Sequence, residues 1–355
     1  MNTILVLGRG HIGTLIAECL HQNHYKIISA DQSNASNPSA YPKIKMDINN
    51  NSDWENISKN TTIDAIISAL PFHCNTVIIH QAKKMNCHYF DLTESEVIAK
   101  HAKQHSINQT KAYVSQCGIA PGLINIIAHD LLQKVKDPTE IQIKVGALPQ
   151  KKHLESQLNY AHIWSLEGLI EEYSKPATVI ENGKKTQRDS LKNHETIKLF
   201  NTTFEAFNTS GGIGSLIDNL PKSIQTCHYK TLRYPGHKQA MELLMHELNM
   251  RDKPQELYQL LDENLPKTKK DQVICHVSIN KTTNHKTITH SWSKIFYPQK
   301  MYGKSWTAIQ LTTALSACAV VDIVMKKPSQ YQGYIEHHRF TPQQISKTPF
   351  GKYLT

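Results

Sequence analysis

Ile4-Leu-Val-Leu-Gly8-Arg-Gly10-His-Ile-Gly13 decides the reading of the fold. The apolar run with β-branched Ile4 and Val6 reads as a buried strand that stops at Gly8. After it Ile12, Leu15, Ile16, Cys19 and Leu20 recur at helical spacing. The pattern Gly-x-Gly-x-x-Gly therefore sits at a strand-to-helix turn, the context of a dinucleotide fingerprint. There Gly8 allows the tight turn, Gly10 lets the backbone approach a pyrophosphate, and Gly13 lets the helix pack on the strand. The phosphates are expected at the helix N-terminus, over Gly10, His11, Ile12 and Gly13. Asp31 closes the run Ile27-Ile28-Ser29-Ala30, 21 residues after Gly10. An acid at that strand tip is placed to bond the ribose hydroxyls of NAD and to repel the 2′-phosphate of NADP. No Arg or Lys follows within the next few residues to receive that phosphate, so NAD is the expected cofactor, with NADP possible. An ordinary βαβ turn with a loop aspartate is the alternative.

A chain of 355 residues suits two domains, and a composition of 39% hydrophobic and 20% charged residues is that of a soluble globular protein. The formal charge of +10 raises nucleic acid as a partner. Its distribution argues otherwise: Lys and Arg are scattered, the densest runs being 267–270 and Lys326-Lys327, with no arginine-rich helix. The expected partner is a small molecule. Seven cysteines without a Cys-x-x-Cys spacing point to reduced thiols and a cytoplasmic protein. Twenty histidines show no His-x-x-Glu-His grouping, so no metal is expected. The N-terminus lacks the pattern of a signal peptide. Ala308 to Met325 is apolar but holds Gln310 and Asp322, which favours a buried helix over a membrane span.

Alternation of strand and helix continues beyond Asp31. Lys43 to Met46, Asp64 to Leu70, His88 to Leu92 and Ala112 to Ser115 read as strands. Asp53 to Lys59, Asn75 to Asn86 and Glu94 to His105 read as helices. This progression predicts a doubly wound parallel sheet covered on both faces. Ligands of such sheets bind beyond the carboxyl ends of the strands, which singles out Ser68, Ala69, Leu70 and Pro71, then Asp91 to Glu94, then Cys117 to Gly122. Asp91 is either a functional carboxylate or, with Glu94 three residues on, a helix N-cap, and spacing favours the cap. After an apolar helix, Leu123 to Leu132, the period changes. Ile141, Ile143 and Val145 alternate with polar residues, as do Val273, Cys275, Val277 and Ile279, with His285 to Tyr297 as a partner across a turn near Asn284. These describe a mixed, largely antiparallel second domain. A helix at Ile163 to Tyr173 lies between them, and a long one, Trp306 to Met325, follows.

A hydride-transfer site for a zwitterionic or carboxylate substrate needs a cation to hold the carboxylate, and the planar fork of Arg suits that task. Arg233 stands out because Tyr229-Lys-Thr-Leu-Arg-Tyr-Pro-Gly-His237 surrounds it with aromatics, a turn and a histidine; a salt-bridged surface arginine is the alternative. His237, Lys230 and Tyr229 are acid–base candidates by type, with a satisfied structural histidine as the competing reading of His237. Thr209, Ser210, Gly211 and Gly212 could present hydroxyls and backbone N–H groups to an anion, or form a plain turn. Glu167 could accept a substrate ammonium, or be an exposed helical glutamate.

Four segments taken together resemble blocks of the saccharopine dehydrogenase-like family: Ile119-Ala-Pro-Gly-Leu-Ile-Asn-Ile126, Trp164-Ser-Leu-Glu-Gly-Leu169, Ala206-Phe-Asn-Thr-Ser-Gly-Gly212 and Tyr229 to His237. The resemblance runs to about residue 325 and favours the functional reading of Arg233, Glu167 and the 209–212 segment. It implies a Rossmann domain, 1–122, completed by a C-terminal helix within about 305–355. It also implies an inserted α+β catalytic domain, 123–304, and a homodimer or homotetramer. Two stretches depart from the family's pattern, Phe72-His73 after the fourth strand and 154–162, which holds Tyr160; both could line the pocket. The implied chemistry is at a C–N bond: NAD-dependent oxidation of the ε-carbon of lysine, or reduction of an imine formed from the semialdehyde and glutamate. A nucleotide-binding sensor without catalysis is the reading from another class.

Overall fold

The chain is described from a computed structural model over residues 1–34, 39–150, 158–283 and 286–355. It divides into two units, Met1–Ile126 with Gln310–Thr355, and Ile127–Ile309. The first unit starts with β1 (Thr3–Leu7), every residue of which is buried, and α1 (His11–Gln22). There follow β2 (Lys26–Asp31), β3 (Lys43–Lys45), α2 (Asn51–Asn60), β4 (Ala65–Ser68), α3 (Asn75–Lys84), β5 (His88–Asp91), α4 (Glu96–His105) and β6 (Ala112–Val114). The sheet order is Gly333–Tyr334, β6, β5, β4, β1, β2, β3. Every pairing in it is parallel. Sequence order reverses between β1 and β4, so the crevice where such sheets bind ligands opens beyond Leu7 and Ser68. This is the expected doubly wound fold; the seventh strand, Gly333–Tyr334, is too short to leave a periodic signal.

α5 (Leu123–Leu132) leads into the second unit, whose scaffold begins with β7 (Glu140–Pro149) and α6 (Leu166–Ser174). Two hairpins follow, β8 (Ala177–Glu181) with β9 (Lys184–Arg188), and β10 (Glu195–Leu199) with β11 (Thr202–Asn208). Then come β12 (Thr226–Arg233), α7 (His237–Glu242), α8 (Pro254–Asn264), β13 (Asp271–Thr282) and β14 (Thr287–Phe296). The main path runs β10, β11, β12, β7, β13, β14, with β8 also paired to β12. Only β12 with β7 is parallel within it, so the sheet is mixed and largely antiparallel, as the alternating pattern implies. The turn near Asn284 lies outside the described residues. Leu148, Leu169, Tyr173, Phe207, Leu232, Met241 and Leu257 belong to the apolar cluster that ties sheet to helices.

A short hairpin, β15 (Gln299–Met301) with β16 (Lys304–Trp306), precedes α9 (Ala308–Lys326). The Asp271 carboxylate accepts the first N–H groups of this helix, from Ala308 at 2.7 Å and Ile309 at 2.9 Å. α9 is long and apolar enough to cross a membrane, but most of it is buried within the protein. In the first unit Asp322 accepts the Tyr25 hydroxyl at 2.9 Å, which satisfies the carboxylate on this apolar helix.

Candidate active site

The glycine loop has the form its sequence requires. Gly8 adopts φ +98° in the left-handed region, and a β-carbon there would meet the Ala69 carbonyl at 2.8 Å. At Gly13 a β-carbon would meet the Gly8 carbonyl oxygen at 2.0 Å, so only glycine lets α1 pack this close. Gly10 faces open space, with nothing within 4 Å of an added β-carbon. It is also the N-cap of α1 with no side-chain cap, which leaves the first-turn N–H groups facing outward. An exposed His11 and a half-buried Ile12 follow. Two crowded glycines around one open one fit a pyrophosphate laid on the helix N-terminus. Ala69 and Leu70 abut Gly8, and the exposed Pro71 continues that turn.

Asp31, at the tip of β2, accepts the Arg9 N–H at 2.7 Å and the Ser33 N–H and hydroxyl at 2.9 and 2.8 Å. Burial opposes ionisation, but these donors and the Arg9 guanidinium outweigh it and hold the carboxyl below its usual range. Arg9 itself donates to the carbonyls of Ile44, at 3.3 Å, and Ser33. The glycine loop thus brings beside the tip of β2 the cation that the residues after Asp31 lack. Sequence separation hid it; the signal was the Arg inside Gly-Arg-Gly.

Asp91 is not the N-cap of α4. Ser95 takes that place, its Oγ accepting the Ile98 N–H at 3.5 Å, because the helix starts one turn later than the Asp-x-x-Glu spacing suggests. Fully buried, Asp91 accepts Tyr89 Oη at 2.7 Å, Ser115 Oγ at 2.9 Å, and the N–H groups of Thr93 and Gln116 at 3.0 and 2.9 Å. Burial pushes its pKa up against the pull of these four donors. The geometry is that of an anchor joining the ends of β5 and β6.

In the second unit Arg233 is the last residue of β12 and only 2% exposed. Its Nε donates to Tyr173 Oη at 2.9 Å and its Nη1 to the Leu232 carbonyl at 2.9 Å. The guanidinium stands 4.9 Å from the ring centre of Tyr160 and 5.8 Å from that of Tyr173. Tyr173 Oη lies 3.0 Å from His237 Nε2, and His237 Nδ1 lies 3.0 Å from the Leu158 carbonyl. These partners fix the protons: Arg233 donates to Tyr173, Tyr173 donates to His237 Nε2, and His237 Nδ1–H donates to Leu158. Burial, then Arg233, pushes the His237 pKa down to about 3, so the ring is neutral. Glu205 shapes the turn that sets His237 in place, accepting the N–H of Gly236 at 3.3 Å and that of Lys238. Gly236 takes φ +98° there.

Strand alternation puts Tyr229 and Thr231 on the Arg233 side of β12. The 209–212 segment lies against that side: Thr209 Oγ1 is 2.7 Å from Thr231 Oγ1, and a β-carbon at Gly212 would run into the Tyr229 ring at 2.1 Å. The Ser210 N–H donates to the Glu172 carbonyl at 3.1 Å, which ties Ser210 and Gly211 to α6. Lys230 points the other way and pairs with Glu195 at 2.9 Å, joined by buried Lys144 at 3.3 Å.

Glu167 is not gathered into this cluster. It is exposed in the first turn of α6, where it accepts from Ser165 Oγ at 3.0 Å beside the Ser165 cap. The acid that does belong is Glu172, on the inner side of the same helix. Burial pushes its pKa up to about 7, against the pull of Arg233. Tyr173 and Glu172 are the residues sequence reading missed; position within the 3.6-residue period of α6 was the available signal.

Comparison with known proteins agrees with this architecture. Residues 4–117 match the model of the saccharopine dehydrogenase NADP binding domain, and residues 118–352 that of the saccharopine dehydrogenase C-terminal domain. The mitochondrial alpha-aminoadipic semialdehyde synthase of Rattus norvegicus is 25% identical over 191 residues, which is 51% of this chain and 20% of that protein. The alignment thus spans about a fifth of the relative's length. In fold, the chain resembles the L-Glu-forming saccharopine dehydrogenase of Saccharomyces cerevisiae, with a TM-score of 0.82 and 14% identity over 99% of this chain and 98% of that one. It also resembles the homospermidine synthase of Legionella pneumophila solved with NAD, with a TM-score of 0.69 and 14% identity over 99% and 90%. With family models matched from the glycine loop to the last helices, this chain belongs to the saccharopine dehydrogenase family of NAD(P)-binding oxidoreductases.

Proposed function

We propose that the protein oxidises a C–N bond of an amino acid with NAD, its reaction being the oxidative deamination of L-lysine at the ε-carbon, as in lysine 6-dehydrogenases. The observation that carries the reading is Arg233. Among the described residues no carboxylate lies within ion-pair distance of this buried guanidinium. Glu172 acts on it electrostatically but is itself pushed toward the neutral acid by burial, so a substrate carboxylate supplies the anion that a charge removed from water calls for.

NAD, held by the Gly8–Gly13 loop and Asp31, would supply the acceptor for a hydride lost from the carbon that bears the nitrogen. With loss of an N–H proton this leaves an imine, which water converts to the semialdehyde and ammonia. The chain's residues prepare that step. Arg233 holds the carboxylate, Tyr173 and neutral His237 fix the plane of its fork, and the Tyr160 ring walls one side. Glu172, titrating near neutrality, holds or releases a proton at its carboxyl. Thr209, Ser210 and Gly211 line the same side. In the first unit Asp31 favours NAD, and Arg9 gives NADP a partner.

NADH formation from NAD and L-lysine at alkaline pH is the test. No turnover across lysine, other amino acids, diamines and saccharopine overturns the reading. A second reading, an imine-forming reductase, is favoured by the likeness in fold to saccharopine dehydrogenase and homospermidine synthase. It predicts NAD(P)H oxidation only when a semialdehyde and an amine are supplied together. A sensor would bind NAD by calorimetry and turn over nothing. We further propose a cytoplasmic homodimer or homotetramer, consistent with seven cysteines none of which is in a disulfide, which light scattering of the purified protein tests for assembly.

A further inference from the structure

Far along the sequence from the glycine loop, the first unit gathers three imidazoles. His80 lies on α3, and His101 and His105 lie one turn apart on α4. Their ring centres are 4.0 Å apart for His101 and His105, 4.3 Å for His80 and His105, and 5.4 Å for His80 and His101. One ligating nitrogen from each lies within 4.8 Å of the others. No linear motif announces the group, because only the i, i+4 pair is local and the third ring comes from another helix.

The proton positions favour a cation over a hydrogen-bonded cluster. His105 Nδ1 lies 2.9 Å from the His101 carbonyl, which only accepts, so Nδ1 carries the hydrogen and Nε2 carries the lone pair. A ring whose far N–H is fixed by a backbone carbonyl is the usual state of a metal-binding histidine. His101 Nε2 is buried and has no hydrogen-bond partner among the described residues, an unsatisfied state that a ligand would relieve.

We propose that His80, His101 and His105 form a binding site for a borderline divalent transition-metal ion such as zinc or nickel, clamping α3 to α4, with solvent completing the coordination. Nitrogen ligands at about 2.0–2.1 Å in a tetrahedron stand roughly 3.4 Å from one another, so closure needs about an ångström of side-chain rotation, which exposed His80 has room to make. Three neutral imidazoles suit zinc, nickel or copper and not magnesium or calcium, which take oxygen ligands.

The test uses the full chain without a histidine tag, stripped with chelator. Cobalt(II) titration followed by visible absorption is expected to saturate at one equivalent with the bands of a nitrogen-ligated ion, to be displaced by zinc and to resist magnesium. His80→Gln and His105→Gln are each expected to weaken binding by roughly tenfold or more, in keeping with the 10- to 100-fold losses seen when even outer partners of metal ligands are removed. His338→Gln, at an exposed histidine elsewhere, is expected to leave affinity unchanged. Retained NADH binding checks that each variant is folded. Absence of the bands, affinity unmoved in both site variants, or equal competition by magnesium overturns the site.

Discussion

Arg233 donates through Nε to the Tyr173 hydroxyl at 2.9 Å, and that hydroxyl turns on to neutral His237 at 3.0 Å. The fork of the arginine is thereby fixed in plane before any substrate arrives. Tyr173→Phe removes one hydrogen bond to a charged group, an interaction of about 1.5–3 kcal/mol, or roughly 10- to 150-fold. We expect the KM for the amino acid to rise by at least about tenfold while the KM for NAD stays fixed. A purely structural role for Tyr173 would instead reduce the folded fraction and leave both KM values alone. Steady-state kinetics with each substrate varied in turn separates the two.

If a substrate carboxylate docks on Arg233 as proposed, Glu172 should make its binding depend on pH in a defined direction. Burial raises its pKa to about 7, and the Arg233 charge holds it down from a higher value. A carboxylate docked on Arg233 cancels part of that pull, so Glu172 takes up a proton as the substrate binds. Affinity for the amino acid should therefore be highest below about pH 7 and fall as pH rises, by at most about tenfold per unit for one linked proton. The substrate ammonium must lose its proton before hydride transfer, so kcat should move the opposite way. Calorimetry in two buffers of different ionisation enthalpy measures the uptake. The assignment fails if wild type takes up no proton or if Glu172→Gln takes up as much.

What the chain discloses locally and what it hides follows from the range of each constraint. Gly8 and Gly13 are legible because a turn with positive φ and a carbonyl 2.0 Å from a missing β-carbon allow no other residue. Arg233 was legible as a candidate because few arginines compete with it and its neighbours are aromatic. Asp91 was misread because Asp-x-x-Glu imitates a capping box, while Ser95 supplies the actual cap and Asp91 meets donors from β6. Glu172 was passed over because Glu171 beside it is chemically identical. Their places in the helical period of α6 distinguish them, Glu172 falling on the buried face and Glu171 beside it at the edge. Arg9 beside Ser33 and His80 beside His105 depend on elements that meet only in the folded chain.

The pairing of Arg9 with Asp31 predicts a cofactor preference that can be turned. On the proposed cofactor placement Asp31 would repel a 2′-phosphate, yet Arg9 stands beside it with a guanidinium already directed at Ser33 and Ile44. Asp31→Asn keeps a side-chain acceptor for the Arg9 N–H and removes the repulsion. The ratio of kcat/KM for NADP over NAD should rise by about tenfold or more, the scale of one charged interaction. Arg9→Gln in the same background should reverse most of that gain. A ratio unmoved by Asp31→Asn would mean that the ribose does not lie at this strand tip.

Acid should destabilise the protein through histidines held neutral inside it. Burial lowers His88, His276 and His337 to about 4 and His237 to about 3, against about 6.5 in an unfolded chain. With folded values depressed, their contribution is complete above about pH 6.5 and is lost as pH falls toward 4, because the unfolded chain binds protons that the folded one refuses. Each contributes a slope of up to about 1.4 kcal/mol per pH unit in that window. Glu172, Asp91 and Asp271, whose pKa values are raised, act in the opposite sense and mask part of the loss. A single-site comparison isolates one histidine. His88 Nδ1 accepts the Ala112 N–H at 2.9 Å, and the amide oxygen of His88→Asn can take that bond without titrating. Denaturant unfolding of the first unit, measured from pH 6.5 to 4, should show a shallower loss of stability in the variant by about one proton's slope. Parallel curves would mean that His88 is protonated in the folded protein.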